Sequence, residues 1–204
     1  MNRSFFRPLL ALLILLAAPA AALAEPIAWV VRINGTPQIT PKGASRQALP
    51  RGKALYDGDV VETDAASKIK ILLSDDSILA IGPRSRVKMG AVEMQPKSRK
   101  ARLEVLAGRF KIAISKFFGG PTDFEVRTPT AVAGVRGTVL WGDTEVDAIC
   151  ALEGNIEVRS LKGPPDAAKL GGGQCVGELG QGKTTPISPS AEDVAGYLKE
   201  VTLE

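Results

Sequence analysis

LEVLAGRFKI, residues 103–112, and ICALEGNIEV, residues 149–158, carry one pattern 46 positions apart: an apolar run, Leu-x-Gly, then a run in which apolar and polar residues alternate. Alternation with a period of two places one strand face in the core and the other in water. Gly108 and Gly154 supply a bend that a side chain would resist. Each stretch therefore predicts a strand, a bend and a second strand. Stacked units of this shape predict an all-β domain, either β-solenoid-like or a sandwich, and the residues leave both arrangements open.

The flanking sequence extends this reading. IAWVVRI (27–33), Asn34-Gly35 and TPQIT (36–40) predict a hairpin, because a type I′ turn needs positive φ at both central positions. Asp57-Gly58 before VVET predicts a turn followed by a strand. KIKILL, SDDS and SILAI (68–81) predict a second hairpin, with Lys68 and Lys70 wet and Ile69 and Ile71 buried. RSRVKM (84–89) reads as a short strand, QPKSRKAR (95–102) as a solvated, mobile connection, and KGPPDAAKLGGG (162–173) as a floppy loop. Near the end, Ser190-Ala191-Glu192-Asp193 has the form of a capping box. Val194, Tyr197, Leu198 and Val201 then follow at helical spacing, which predicts a short helix docked on the domain.

The N-terminus has the order of a secretory signal peptide: Arg3 and Arg7, an apolar run from Leu9 to Ala18, Pro19, and Ala22-Leu23-Ala24. Cleavage is expected after Ala24, and no later segment is long and apolar enough to span a bilayer. The expected organisation is a signal peptide over 1–24, a β domain over 25–187 and an amphipathic helix over 188–204. Loss of the leader lowers the formal charge from +4 to +2, so the basic balance says little about an anionic partner. The chain has 21 glycines, 14 prolines and 5% aromatics, which suits a turn-rich β protein. Cys150 and Cys175 are its two cysteines, and in an oxidising compartment they are expected to pair. Closing that loop contributes about 3.5 kcal/mol in the chain-entropy picture. The chain has no histidine, which removes Ser-His and Cys-His nucleophile systems and the common zinc sites. Neither a metal nor a cofactor is expected.

LYDGDVVETDAASKIKILLSDDSILAIGPRSRVKM, followed by FEVRTPTAVAGVRGT and ALEGNIEV, resembles the FecR domain family. Gly58, Asp59, Thr63, Asp75, Ser77, Pro83 and Ser85 match the first part of its pattern. Thr128, Pro129, Ala131, Val135, Arg136, Gly137 and Thr138 match the second, and Leu152, Gly154 and Val158 the last. The match runs over roughly residues 50–160, and Val-Arg-Gly-Thr is its most specific part. Asp76 stands where the family has a turn glycine, and aspartate accepts the left-handed conformation better than most residues. The resemblance implies an exported β domain that senses or binds a partner. The best-known members join such a domain to a membrane helix and a cytoplasmic anti-sigma segment, and relay a signal from an outer-membrane receptor.

Within this frame Arg136 has two readings. It ties off a close-packed β corner, with Glu125, Asp143 or Glu145 as its acid, or its fork grips an anionic group of a partner. Nearby acids favour the first. Phe117-Phe118 beside Gly119-Gly120-Pro121 offer either a core plug or an exposed contact, since adjacent strand residues face opposite ways. The partner-binding candidates are thus Thr128, Pro129, Arg136, Gly137, Thr138, Phe117 and Phe118. A rival reading binds an anionic envelope polysaccharide through Arg84, Arg86, Lys88, Lys97, Arg99, Lys100 and Arg102, although such runs are by default solvated loops. Nucleic acid is not expected, because the basic run lacks stacking aromatics. The pairs Asp57/Asp59 and Asp75/Asp76 lack calcium-loop spacing and read as turn chemistry, which leaves a carboxylate-based glycan hydrolase as the weakest alternative. The sequence thus points to a periplasmic or secreted, non-enzymatic protein that binds an envelope protein.

Overall fold

The computed structural model describes residues 25–163 and 167–203, so the leader expected over 1–24 lies outside the described residues. Two open sheets dominate it. The first holds eight strands in the order β17 (Gln174–Val176), β14 (Ala148–Glu153), β13 (Val139–Asp143), β10 (Arg109–Ala113), β7 (Ile78–Ile81), β6 (Lys68–Leu73), β1 (Ala28–Asn34) and β4 (Ala54–Leu55). The second holds nine, β16 (Ala167–Gly171), β15 (Asn155–Ser160), β12 (Ala131–Val135), β11 (Thr122–Arg127), β9 (Ser98–Ala107), β8 (Arg86–Gln95), β5 (Val60–Glu62), β2 (Gln38–Thr40) and β3 (Gln47–Ala48). Alternation decides which residues face inward. Ile69, Ile71, Leu79, Ile81 and Phe110 of the first sheet share one core with Val61, Val87, Leu103, Val105 and Val126 of the second. The fold is all-β and two-layered, a sandwich along which the chain winds from layer to layer.

The winding depends on paired corners. Each of the two echoing stretches is a strand, a glycine bend and a strand as expected, but its two strands lie in different sheets. β9 leads through Gly108 into β10, and β14 through Gly154 into β15. Gly35 does the same between β1 and β2, so the hairpin expected at Asn34-Gly35 is a sheet crossing. All three glycines have positive φ (81°, 86° and 73° in chain order). A hydroxyl residue from a neighbouring crossing fills the space beside each. A Cβ at Gly35 would lie 2.3 Å from Ser67 Oγ, at Gly108 2.2 Å from Ser85 Oγ and at Gly154 2.5 Å from Thr138 Oγ1. The hydroxyls also tie the bends: the Thr36 N–H donates to Ser67 Oγ and the Arg109 N–H to Ser85 Oγ, at 2.8 and 2.9 Å.

β6 and β7 form the antiparallel hairpin read from KIKILL-SDDS-SILAI, with Asp76 left-handed at φ 64°. The stretch 95–102 is not a mobile connection, because β8 and β9 are ten-residue strands joined by a tight turn. Part of the expected floppy loop is likewise β16, paired along β15, while residues 164–166 lie outside the described set. Cys150 and Cys175 face each other on β14 and β17 and form a disulfide.

Helix α1 (Ala191–Val201) starts at the capping box of Ser190 and Asp193 and lies on the outer face of the first sheet. Tyr197 stacks on Trp141, with ring centroids 4.4 Å apart, and Val201 is buried beside Gly82 at the end of β7. Arg109 secures its end, donating to Asp143 at 2.6 Å and Glu145 at 2.9 Å and pairing with Glu200. The Asp143 hydrogen bond raises the Arg109 guanidinium above its usual range, so this cation stays charged.

Candidate functional site

Most of the hydroxyl and carboxylate motif residues build the fold from inside. Asp59 accepts the Lys42 and Tyr56 N–H groups at 3.1 and 2.9 Å. Thr63 Oγ1 donates to the Gly82 carbonyl at 2.7 Å and accepts the Ser85 N–H at 2.9 Å. Asp75 accepts both the N–H and the hydroxyl of Ser77. Asp59, Thr63, Asp75, Ser77, Ser85 and Thr138 are all buried. At crossings, where ladder bonds stop, short polar side chains take up the backbone groups left over.

The buried cation of this fold is Arg99. Its side chain is 1% exposed and faces Asp75 at 3.1 Å. Nη1 also donates to the carbonyl and hydroxyl of Ser115, at 2.9 and 3.1 Å. Nε and Nη2 have no hydrogen-bond partner among the described residues. The guanidinium lies 5.8 Å from the ring centres of both Phe117 and Phe124, where aromatic faces attract cations. This clamp joins the β6–β7 turn in one sheet to β9 in the other.

The segment 114–121 runs from β10 in the first sheet to β11 in the second, and delivers β11 parallel to β9. It crosses directly over the clamp. With Phe117 held against Arg99, the next side chain points away: Phe118 is 91% exposed. The two glycines that follow are a close approach. A Cβ at Gly119 would lie 2.6 Å from the Phe117 ring, and one at Gly120 2.2 Å from the Lys97 carbonyl. Phe118 is thus presented by a segment packed against the β8–β9 turn.

Arg136 is exposed at the end of β12. It pairs with no carboxylate among the described residues, which overturns its reading as the corner's buried tie. Its three candidate acids are engaged elsewhere: Glu125 by Arg102 and Arg127, Asp143 by Arg109, and Glu145 by Arg84 and Arg109. Instead Arg136, Gly137 and Lys116 stand between two depressions. One, of about 580 Å³, is lined by Phe117, Phe118, Gly120 and Pro121. The other, of about 970 Å³, runs over β11, β12, β15 and β16, past the bare surface at Gly134.

The structure therefore brings together Phe117, Phe118, Arg136 and Gly137, with Thr138 buried behind them. It does not bring in Thr128 or Pro129. They form the turn at the far end of the β11–β12 hairpin, where Thr128 Oγ1 accepts the Ala131 N–H at 3.0 Å. Lys116 was absent from the sequence-based site, although its place beside Phe117 was a usable signal.

The proposed polysaccharide face is broken up. Arg99 is inside the core, not in a solvated run. Arg84, Arg86, Lys88 and Arg102 stand beside Glu145, Glu62, Glu104 and Glu125, leaving Lys97 and Lys100 exposed at the β8–β9 turn.

The chain is thus a two-sheet β domain with its motif hydroxyls inside and Phe118 held outside. The family model described as FecR protein matches residues 59–163, and the chain belongs to that family. No curated protein matches it. Two solved structures share its fold, both of a protein of Parabacteroides distasonis ATCC 8503 described as a "putative anti-sigma factor", at 1.65 Å and 2.50 Å resolution. Each is 17% identical, with TM-scores of 0.55 and 0.54, and each match covers 68% of this chain. The matches cover 64% and 63% of the solved chains, less than two thirds of their length.

Proposed function

We propose that this chain is an exported, non-enzymatic FecR-domain protein that binds a protein partner in the periplasm or envelope as part of a signalling route. On this reading residues 1–24 are a cleaved leader, 25–187 the β domain and 188–204 its docked helix. The observation that carries the reading is Phe118: a large apolar ring, 91% exposed, on a segment fixed from beneath by Phe117, Arg99 and two close-packed glycines. Anchors of this kind lose little conformational freedom on binding, and buried aromatics dominate interface energetics. The relatives described as anti-sigma factors, and the disulfide, which suits an oxidising compartment, support the same reading.

A photoreactive phenylalanine analogue placed at Phe118 in the living cell tests it. The expected result is one dominant adduct with an envelope protein, absent when the same analogue replaces the exposed Leu161. If adduct patterns at the two positions match, the binding reading fails.

A further inference from the structure

Most surface arginines stand beside a carboxylate, whereas Lys116 and Arg136 beside Phe118, like Arg51, Lys97 and Lys100, do not among the described residues. Arg46, Arg84, Arg86, Arg102, Arg127 and Arg159 each stand beside a carboxylate. Lys116 and Arg136 pair with no carboxylate among the described residues, yet both line the depression beneath Phe118. Its other lining residues are Phe117, Gly120, Pro121, Thr122 and Gly137, so it holds two cations, two aromatic rings and no acid. The acids nearby, Asp123, Glu125, Glu153 and Glu157, line the neighbouring depression, whose rim Lys116 and Arg136 share without pairing to them. A low-lying aromatic floor beside a guanidinium fork and an ammonium suits a carboxylate flanked by an apolar group. The fork takes the carboxylate in two parallel hydrogen bonds, and the ring beside it takes the apolar contact.

We infer that this depression recognises an acidic segment of a protein partner, one in which Asp or Glu side chains alternate with apolar residues. The inference rests on the protein-binding reading above and assigns its chemistry. Phe118 supplies the apolar anchor, and Lys116 and Arg136 read the carboxylates. Because both cations are exposed, binding is sensitive to salt and association is steered by charge.

Fluorescence polarisation with the purified full chain tests it, using a labelled peptide of alternating Glu and Phe, its Gln-for-Glu counterpart, and alginate as an acidic polysaccharide competitor. The Glu peptide is expected to bind about tenfold or more tightly than the Gln peptide at low ionic strength. Lys116→Glu with Arg136→Glu should abolish that difference while leaving the thermal midpoint unchanged, and Lys116→Arg with Arg136→Lys should largely restore it. Equal binding of the two peptides, or a preference that survives the charge reversal, overturns the inference. So does alginate competing as well as the Glu peptide by weight, which would make the ligand a polysaccharide. The two readings fail separately. A dominant Phe118 adduct together with equal binding of the two peptides leaves the protein-binding reading standing and removes only the acidic segment.

Discussion

Two arginines lie close together at this end of the sandwich and do opposite things. Arg99 comes from a stretch dense in lysine and arginine, and is shut inside the core against Asp75, Ser115 and two phenylalanines. Arg136 comes from the most specific motif of the family, beside small residues that suggest close packing, and stands in the open. The difference teaches that local composition does not place a charged side chain. Strand register does. In β9, Ala101, Leu103 and Val105 face inward, so the period of two carries Arg99 inward with them. In β12, Ala131, Ala133 and Val135 face inward, so Arg136 is carried out.

The contrast assigns the clamp to architecture and, on the proposed reading, the groove to recognition, and graded substitutions can break it. Removing one side of a buried pair leaves the other charge uncompensated, so Asp75→Ala should cost about 3–5 kcal/mol in urea denaturation. Replacing both cysteines with serine should cost about 2–4 kcal/mol, less than the clamp, because β17 is a short edge strand held also by its bridge to Ile187. Gly108→Ala should cost about 2 kcal/mol, since the residue sits at φ 86° and the new methyl meets Ser85. Tyr197→Ala removes the stack on Trp141 and should cost about 1 kcal/mol while leaving Phe118 adduct formation intact. At the small end, Phe118→Ala should shift stability by less than about 0.5 kcal/mol yet weaken partner capture severely. If Phe118→Ala destabilised the fold as Asp75→Ala does, the division between the two regions would be gone.

Much of the fold was legible. Alternation located the β6–β7 hairpin and the two strand–glycine–strand units, and the capping box located α1. The layer to which each strand belongs was not legible from the bends. Positive φ at Gly35, Gly108 and Gly154 serves a hairpin or a sheet crossing equally, and the choice depends on strands far along the chain. The candidate site was half legible: Phe118 and Arg136 were singled out, but their meeting depends on segment 114–121 crossing between sheets. The Asp75–Arg99 pair is masked by the charge density of its stretch, although the register that buries Arg99 is present in SRKARLEVLA.

The direct measurement is equilibrium urea denaturation of Arg99→Met beside Arg136→Met. Methionine keeps much of the bulk of each side chain and removes its charge. With Arg99 in the core and Arg136 on the surface, the expected loss is about 3–5 kcal/mol for Arg99→Met and the expected change is within about 0.5 kcal/mol for Arg136→Met. A large loss at Arg136, or none at Arg99, would contradict that placement.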